Sequence, residues 1–103
     1  MRQYDVCRNA NAVSRKRVPF VIVLQSDLMQ DFKTVVVAPL VTETVATKIT
    51  KLNPVVIVQG RTYRVSMVEM AGVLRGQLGE VVINVHNQHD EFIAAIDLLF
   101  TGI

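Results

Sequence analysis

Every apolar run in this chain except the last is short, rich in valine and cut off by turn-forming residues. VPFVIVL (18–24), TVVVAPL (34–40) and PVVIVQ (54–59) are the strongest. β-Branched side chains have few allowed rotamers and pack well on a pleated surface, so such runs predict strands. Tyr4 to Arg8 reads as a first strand, and Pro19 to Gln25 as a second that is apolar on both faces. Thr34 to Leu40 reads as a third; its Pro39 lacks an amide donor, which predicts an edge or a strand end. Pro54 to Gln59 is apolar enough to predict a central strand, with Gly60-Arg61 as the turn of a tight hairpin. Thr62 to Val68 alternates, with Tyr63, Val65 and Met67 on one face and Thr62, Arg64 and Ser66 on the other. Met70 to Gly79 carries three spaced glycines and reads as loop, before a short strand at Glu80 to Val85. Asn9 to Arg17 reads as a mobile basic loop, and Val41 to Asn53 as a long Thr-rich connection or a weak helical turn.

The last run has a different period. In DEFIAAIDLLF (90–100), Phe92, Ile96, Leu99 and Ile103 follow helical spacing, and Ile93 and Phe100 widen the stripe. Asn87 is the expected cap, Asp90 and Glu91 suit the positive end of the helix dipole, and Gly102 suits a C-cap. Periodicity assigns Phe92 and Ile96 to the core. Leu99, Phe100 and Ile103 fall where the core should be thin, and an apolar helix end is either buried or a contact surface. The expected architecture is a run of antiparallel strands closed by one helix.

The chain has 103 residues, which predicts one domain over residues 1–103 with a single core. Half the residues are apolar and 19% are charged, rich for a small monomer, so some apolar surface is expected to meet a partner or a second copy. The net charge of +2 conceals an asymmetry. Arg2, Arg8, Arg15, Lys16 and Arg17 face only Asp5 within residues 1–17, whereas Glu80, Asp90, Glu91 and Asp97 follow Arg75 with no further Lys or Arg. A basic head and an acidic tail do not make a uniform nucleic-acid footprint; they read either as an ordinary solvated surface or as a basic loop that receives an acidic peptide. Cys7 is the one cysteine, so no intrachain disulfide forms; it is expected to be a small buried hydrophobe in a reducing cytoplasm. Arg15-Lys16-Arg17 and the run behind it imitate a signal peptide, but lie too far in, contain Pro19 and lack a small-residue cleavage site. No run has membrane-spanning length.

Catalytic and cofactor motifs are not found in the sequence. His86 and His89 are three apart with only Asp90 nearby as a third metal ligand, so no metal is expected. The glycines from Gly72 to Gly79 do not form a phosphate-binding loop, no nucleophile–base constellation stands out, and no cofactor is expected.

Four stretches, in order, resemble the CcdB-type toxins of toxin–antitoxin systems. They are AIDLLFTGI (95–103), Leu24-Gln25-Ser26-Asp27-Leu28-Met29, the strand Val35 to Leu40, and Leu52 to Val73 with Pro54-Val55-Val56, Arg64 and Met70-Ala71. The resemblance implies a mainly β, α+β fold: a small antiparallel sheet of SH3-like barrel character, of CcdB–MazF type, with one C-terminal helix. It implies a homodimer that grips the DNA-cleaving subunit of DNA gyrase through both helix tips and traps the enzyme on cleaved DNA, and an antitoxin peptide that removes it. Position by position, it assigns Leu28, Met29, Asp97, Phe100, Thr101, Gly102 and Ile103 to gyrase contact. Leu99 is assigned to the dimer interface, and the loop with Arg8, Arg15, Lys16 and Arg17 to the antitoxin. Two positions depart from the family pattern: Thr101 stands where Trp is frequent, and Asp97 where Asn is expected. Trp stacks on an arginine and Thr does not; Asp97 adds a charge that can pair with one. Two alternatives stay open. A MazF-like endoribonuclease uses the same architecture and would draw on Arg64 with Thr62 or Ser66; RNA cleavage lost on Arg64→Ala would favour it. A non-toxic remnant would keep only antitoxin binding.

Overall fold

The computed structural model describes residues 1–42 and 49–102. Strands β1 (Asp5–Asn9), β2 (Phe20–Val23), β3 (Thr34–Val41), β4 (Val55–Val58), β5 (Arg61–Val65), β6 (Ala71–Leu74) and β7 (Leu78–Asn84) precede helix α1 (His89–Thr101). All strand pairs are antiparallel, in the order β4-β5-β3-β2-β1-β7. Strand β6 lies off this path and also pairs β3. The sheet curls into an open half-barrel with α1 on one face, which fits the expected SH3-like character.

Because β2 and β3 are apolar at both alternating positions, and β1 turns Val6 to one face and Cys7 to the other, the sheet has a core on each face. Under α1 lie Val6, Phe20, Ile22, Leu40, Val56, Val65 and Met67, among others, and the helix adds Phe92 and Ala95 to them. On the opposite face Cys7, Val21, Val23, Val35 and Val37 are closed over by Val18, Val73 and Leu78. The second core explains why β6 folds back where the glycines predicted a loop. Val73 needs cover, and Gly72 stands opposite Val36 with open space around its missing side chain.

Pro39 is neither on an edge nor at a strand end. It pairs with Val21 inside β3, and its carbonyl accepts from Ser66 N at 2.9 Å on the other side. A residue's N–H and C=O point to the same side of a strand. The missing donor therefore faces the gap where β3 changes partner, from β6 at Thr34–Val37 to β5 at Leu40–Val41, and no ladder bond is lost.

The predicted central strand β4 is instead an edge, and its Ile57 is 60% exposed. Only Val56 and Val58 face the core. Gln88 Nε2 donates to Val55 O at 2.7 Å, which covers part of that edge. The hairpin turn is Gln59-Gly60 rather than Gly60-Arg61. Val58 pairs with Arg61, and both turn residues have positive φ, 51° and 79°, as the primed turn matching strand twist requires. Tyr63, Val65 and Met67 are buried together as the alternation predicts, and Ser66, expected on the outer face, is buried as well. The connection expected over Val41 to Asn53 falls partly on residues 43–48, outside the described residues; Val41 itself completes β3, and Asn53 N donates to Ile49 O at 2.9 Å.

The register of β7 on β1 shifts between Cys7 and Asn9, and there the backbones approach closely. A side chain at Gly79 would meet Arg8 Cβ and the Arg8 carbonyl, each at 3.0 Å. Gly79→Ala is expected to destabilise the protein by about 1–3 kcal/mol, read as a lower urea midpoint at constant slope.

Candidate functional site

Helix α1 is fixed at its start. A 3-10 turn, His86–Gln88, leads into it, and Gln88 stands at the N-cap with no side-chain capping bond, so the expected Asn87 cap is not formed. Asp90 and Glu91 occupy the first turn as expected. Tyr4 holds this end from the sheet: its hydroxyl lies 2.6 Å from His89 Nδ1, and its ring stacks on Phe92 at 5.0 Å and 24°. Its backbone bonds Val23 and Val85 while sitting at φ 67°. Burial, and then the Asp90 carboxylate, push the Tyr4 hydroxyl above its ordinary pKa.

The helical stripe divides along its length. Phe92 and Ala95 are fully buried, and Ile96 and Leu99 pack partly against the same core. Ile93 and Phe100 do not widen the buried stripe; Phe100 is 68% exposed. The final turn is closed by Gly102 in the left-handed region at φ 75°, its N–H donating to Leu98 O at 3.0 Å. Thr101 Oγ1 donates to Asp97 O at 2.6 Å, so the hydroxyl is turned back on its own helix. Asp97 is exposed and makes no ion pair among the described residues. Ile103 lies outside the described residues.

Leu28 and Met29 ride on a separate 3-10 turn, Asp27–Met29. Ser26 Oγ caps it by accepting from Leu28 N, and Asp27 Oδ1 accepts from Gln3 N at 2.7 Å. Leu28 is 88% exposed and Met29 44%. Met29 O accepts from Gln25 Nε2 and from Arg75 Nη2, at 3.2 and 3.0 Å. Within one chain, no hydrogen bond or ion pair among the described residues joins this turn to the end of α1.

The basic loop is more ordered than its composition predicts. Asn9 Nδ2 donates to Ser14 Oγ and Val18 O, Asn11 Oδ1 accepts from Val13 and Ser14, and Arg15 N returns to Asn11 O. Arg15, Lys16 and Arg17 stay exposed. Arg8 is engaged: its Nε bonds Glu80 Oε1 at 2.8 Å, and its guanidinium lies 5.6 Å from the centre of the Phe20 ring. Beside the loop is a cavity of ≈ 260 Å³ with an apolar floor, Val18, Val21 and Val73, and a polar rim that includes Asn9 and Arg17.

A second, more polar cleft of ≈ 610 Å³ is lined by Arg2, Gln3, Tyr4, Asp27, His86 and His89, among others. Its histidines are tied to different partners, His89 to Tyr4 and His86 Nδ1 to Asn84 Oδ1 at 2.9 Å. No group of three metal-ligating side chains occurs among the described residues. Arg64 Nη1 donates to Asn53 O at 3.2 Å, with Ser66 buried and Thr62 exposed on the same strand or just beyond it. Among the described residues, no helix is long and apolar enough to cross a membrane.

Cys7 is fully buried, as expected, and burial followed by the Asp5 charge raises its thiol pKa to about 11. The native state therefore keeps a proton that the unfolded chain releases near its ordinary value of 9.0. This contribution to stability falls as pH rises from 9.0 towards about 11. Alkylation of Cys7 at pH 8 is expected to be negligible in the native protein and complete in denaturant; rapid native labelling would contradict that burial.

Two residues that matter to this geometry carried no signal in the sequence. Tyr4 reads as an ordinary strand start, and its positive φ has no local marker. Arg75 reads as a loop cation, although it reaches three backbone carbonyls of the 29–33 segment.

Compared with known families, residues 3–102 match the family described as CcdB protein, which is nearly the whole chain. No curated protein matches it.

Proposed function

We propose, because this chain belongs to the CcdB family of toxin–antitoxin toxins, that it binds the DNA-cleaving subunit of DNA gyrase and traps the gyrase–DNA cleavage complex. The observation that carries this reading is Phe100, 68% exposed on a helix whose preceding turns face the core. Aromatic residues, phenylalanine among them, are enriched in protein–protein interfaces relative to the rest of the surface. Burying a phenylalanine side chain contributes roughly 1.5–3 kcal/mol, so one tip alone binds weakly. A homodimer with Leu99 near its two-fold axis supplies two tips and two Leu28-Met29 turns, and brings together surfaces that one chain holds on separate anchors.

In this reading residues 1–103 act as one toxin domain in the cytoplasm, where gyrase and its DNA are found, and the protein performs no covalent chemistry. Phe100, Leu28 and Met29 supply apolar contact, and Gly102 and Ile103 are assigned to the same contact. Thr101 offers its methyl group, since its hydroxyl is committed to Asp97 O. Without a Trp at that position, about 0.5–2 kcal/mol of stacking on a gyrase arginine is lost. Asp97, exposed one turn back, replaces part of it by pairing with that arginine. The antitoxin approaches the other way round, with an acidic segment drawn to Arg15, Lys16 and Arg17 and to the Arg8 side of the loop.

Calorimetric titration into the arm fragment of the DNA-cleaving gyrase subunit tests the reading. Expected is one toxin dimer per fragment dimer, with binding lost when an acidic antitoxin peptide is added first. No heat and no complex at micromolar concentrations would contradict it.

A further inference from the structure

The turn bearing Leu28 and Met29 is held from a distant part of the chain. Arg75 Nε donates to Phe32 O at 2.7 Å, Nη2 to Met29 O at 3.0 Å, and its backbone N–H to Lys33 O at 3.0 Å. From Ser26 to Lys33 the chain has neither glycine nor proline to set its bend. Leu28 is too exposed for its own packing to hold it. Met29 O ends the 3-10 turn and also accepts from Gln25 Nε2, while Phe32 O lies three residues beyond the turn; the planar guanidinium bonds both carbonyls at once and so ties the turn to the segment that follows it. Arg75 is itself held in place, because β6 pairs Leu74 with Thr34 and so sets residue 75 beside the turn.

We infer that Arg75 is a positioning residue: it pre-orders the segment from Leu28 to Lys33 so that Leu28 and Met29 meet gyrase without first paying the entropy of ordering. The inference rests on the gyrase reading above and adds to it a residue that touches no partner. A contact surface ordered before binding loses less freedom on association.

Arg75→Ala and Arg75→Lys in the full-length protein test it, read by affinity for the gyrase arm fragment, affinity for the antitoxin peptide, thermal melting, and amide exchange over residues 28–33. Arg75→Ala is expected to weaken gyrase binding about tenfold, the scale of ordering one or two contact side chains on association. Exchange in the turn should rise while melting and antitoxin affinity stay put. Arg75→Lys keeps the charge but not the fork, and should recover little of the loss. Full recovery by Lys would overturn the inference, since Arg75 would then act as a charge. Unchanged gyrase affinity or unchanged exchange in Arg75→Ala would overturn it too. Phe100→Ala separates the levels. If it abolishes binding while Arg75→Ala does nothing, the gyrase reading stands and the role of Arg75 falls; if the wild-type protein does not bind gyrase, both fall.

Discussion

Removing Gly102 and Ile103 is expected to abolish binding to the DNA-cleaving subunit of gyrase and leave a folded protein that still binds antitoxin. The asymmetry follows from where the helix is held. Its packing comes from Phe92, Ala95, Ile96 and Leu99, all upstream of the deletion, and its start is tied down by Tyr4 and Gln88. Gly102 contributes the last backbone bond, to Leu98 O, and open space surrounds its α-carbon. Losing that closure frays one turn and costs about 1 kcal/mol, the scale of a helix cap. For a domain of this size that lowers the melting temperature by roughly 4–8 °C. Binding should suffer far more, because the frayed turn carries Phe100 and Thr101, and the proposed dimer would lose both tips together. Melting, antitoxin titration and gyrase titration on one preparation separate the effects. Retained gyrase binding by the truncated protein would mean that the contact surface lies elsewhere.

The largest effect on stability is expected from Phe92→Ala, at about 3–5 kcal/mol. Phe92 has no exposed surface, and its ring lies flat against Tyr4. The cavity would also remove the support that keeps Tyr4 at positive φ with its hydroxyl on His89. Since small domains are stable by only about 5–15 kcal/mol, much of the margin would go. Phe100→Ala is the internal control. It is the same substitution on the same helix, but Phe100 is mostly exposed, so its effect on stability should stay within about 0.5 kcal/mol while gyrase binding is lost. Urea unfolding of both variants decides the matter. Equal destabilisation would mean that Phe100 belongs to the core after all.

The contrast between these two phenylalanines marks what the sequence could reveal. Helical spacing placed both on one stripe, because periodicity reports a face and not how far the core extends along it. Valine-rich alternation made the antiparallel sheet legible, and the buried faces of β5 and the acidic first turn of α1 followed from the same local chemistry. Properties that depend on neighbours did not. Strand β6 looked like loop because pairing with β3, not the propensity of Ala71-Gly72, makes it a strand. Ile57 looked central because an exposed isoleucine on an edge strand reads like a buried one. Pro39 could be placed inside a sheet only once β3 was known to change partners there. In the candidate site, the resemblance of the 95–103 segment supplied the tip. The fork of Arg75 on the 29–33 carbonyls joins residues more than forty positions apart and has no local marker.

Gyrase poisoning is tested most directly by a cleavage assay. Purified protein is incubated with gyrase from the same source, supercoiled plasmid and ATP, then treated with detergent and protease, and linear DNA is quantified. A gyrase poison of this kind should give linear plasmid that increases with toxin, disappears when antitoxin peptide is present, and is absent for the protein lacking Gly102 and Ile103. Tight binding to the DNA-cleaving subunit with no linear DNA at any toxin concentration would contradict this, and would make the protein a gyrase ligand that does not trap the cleaved complex.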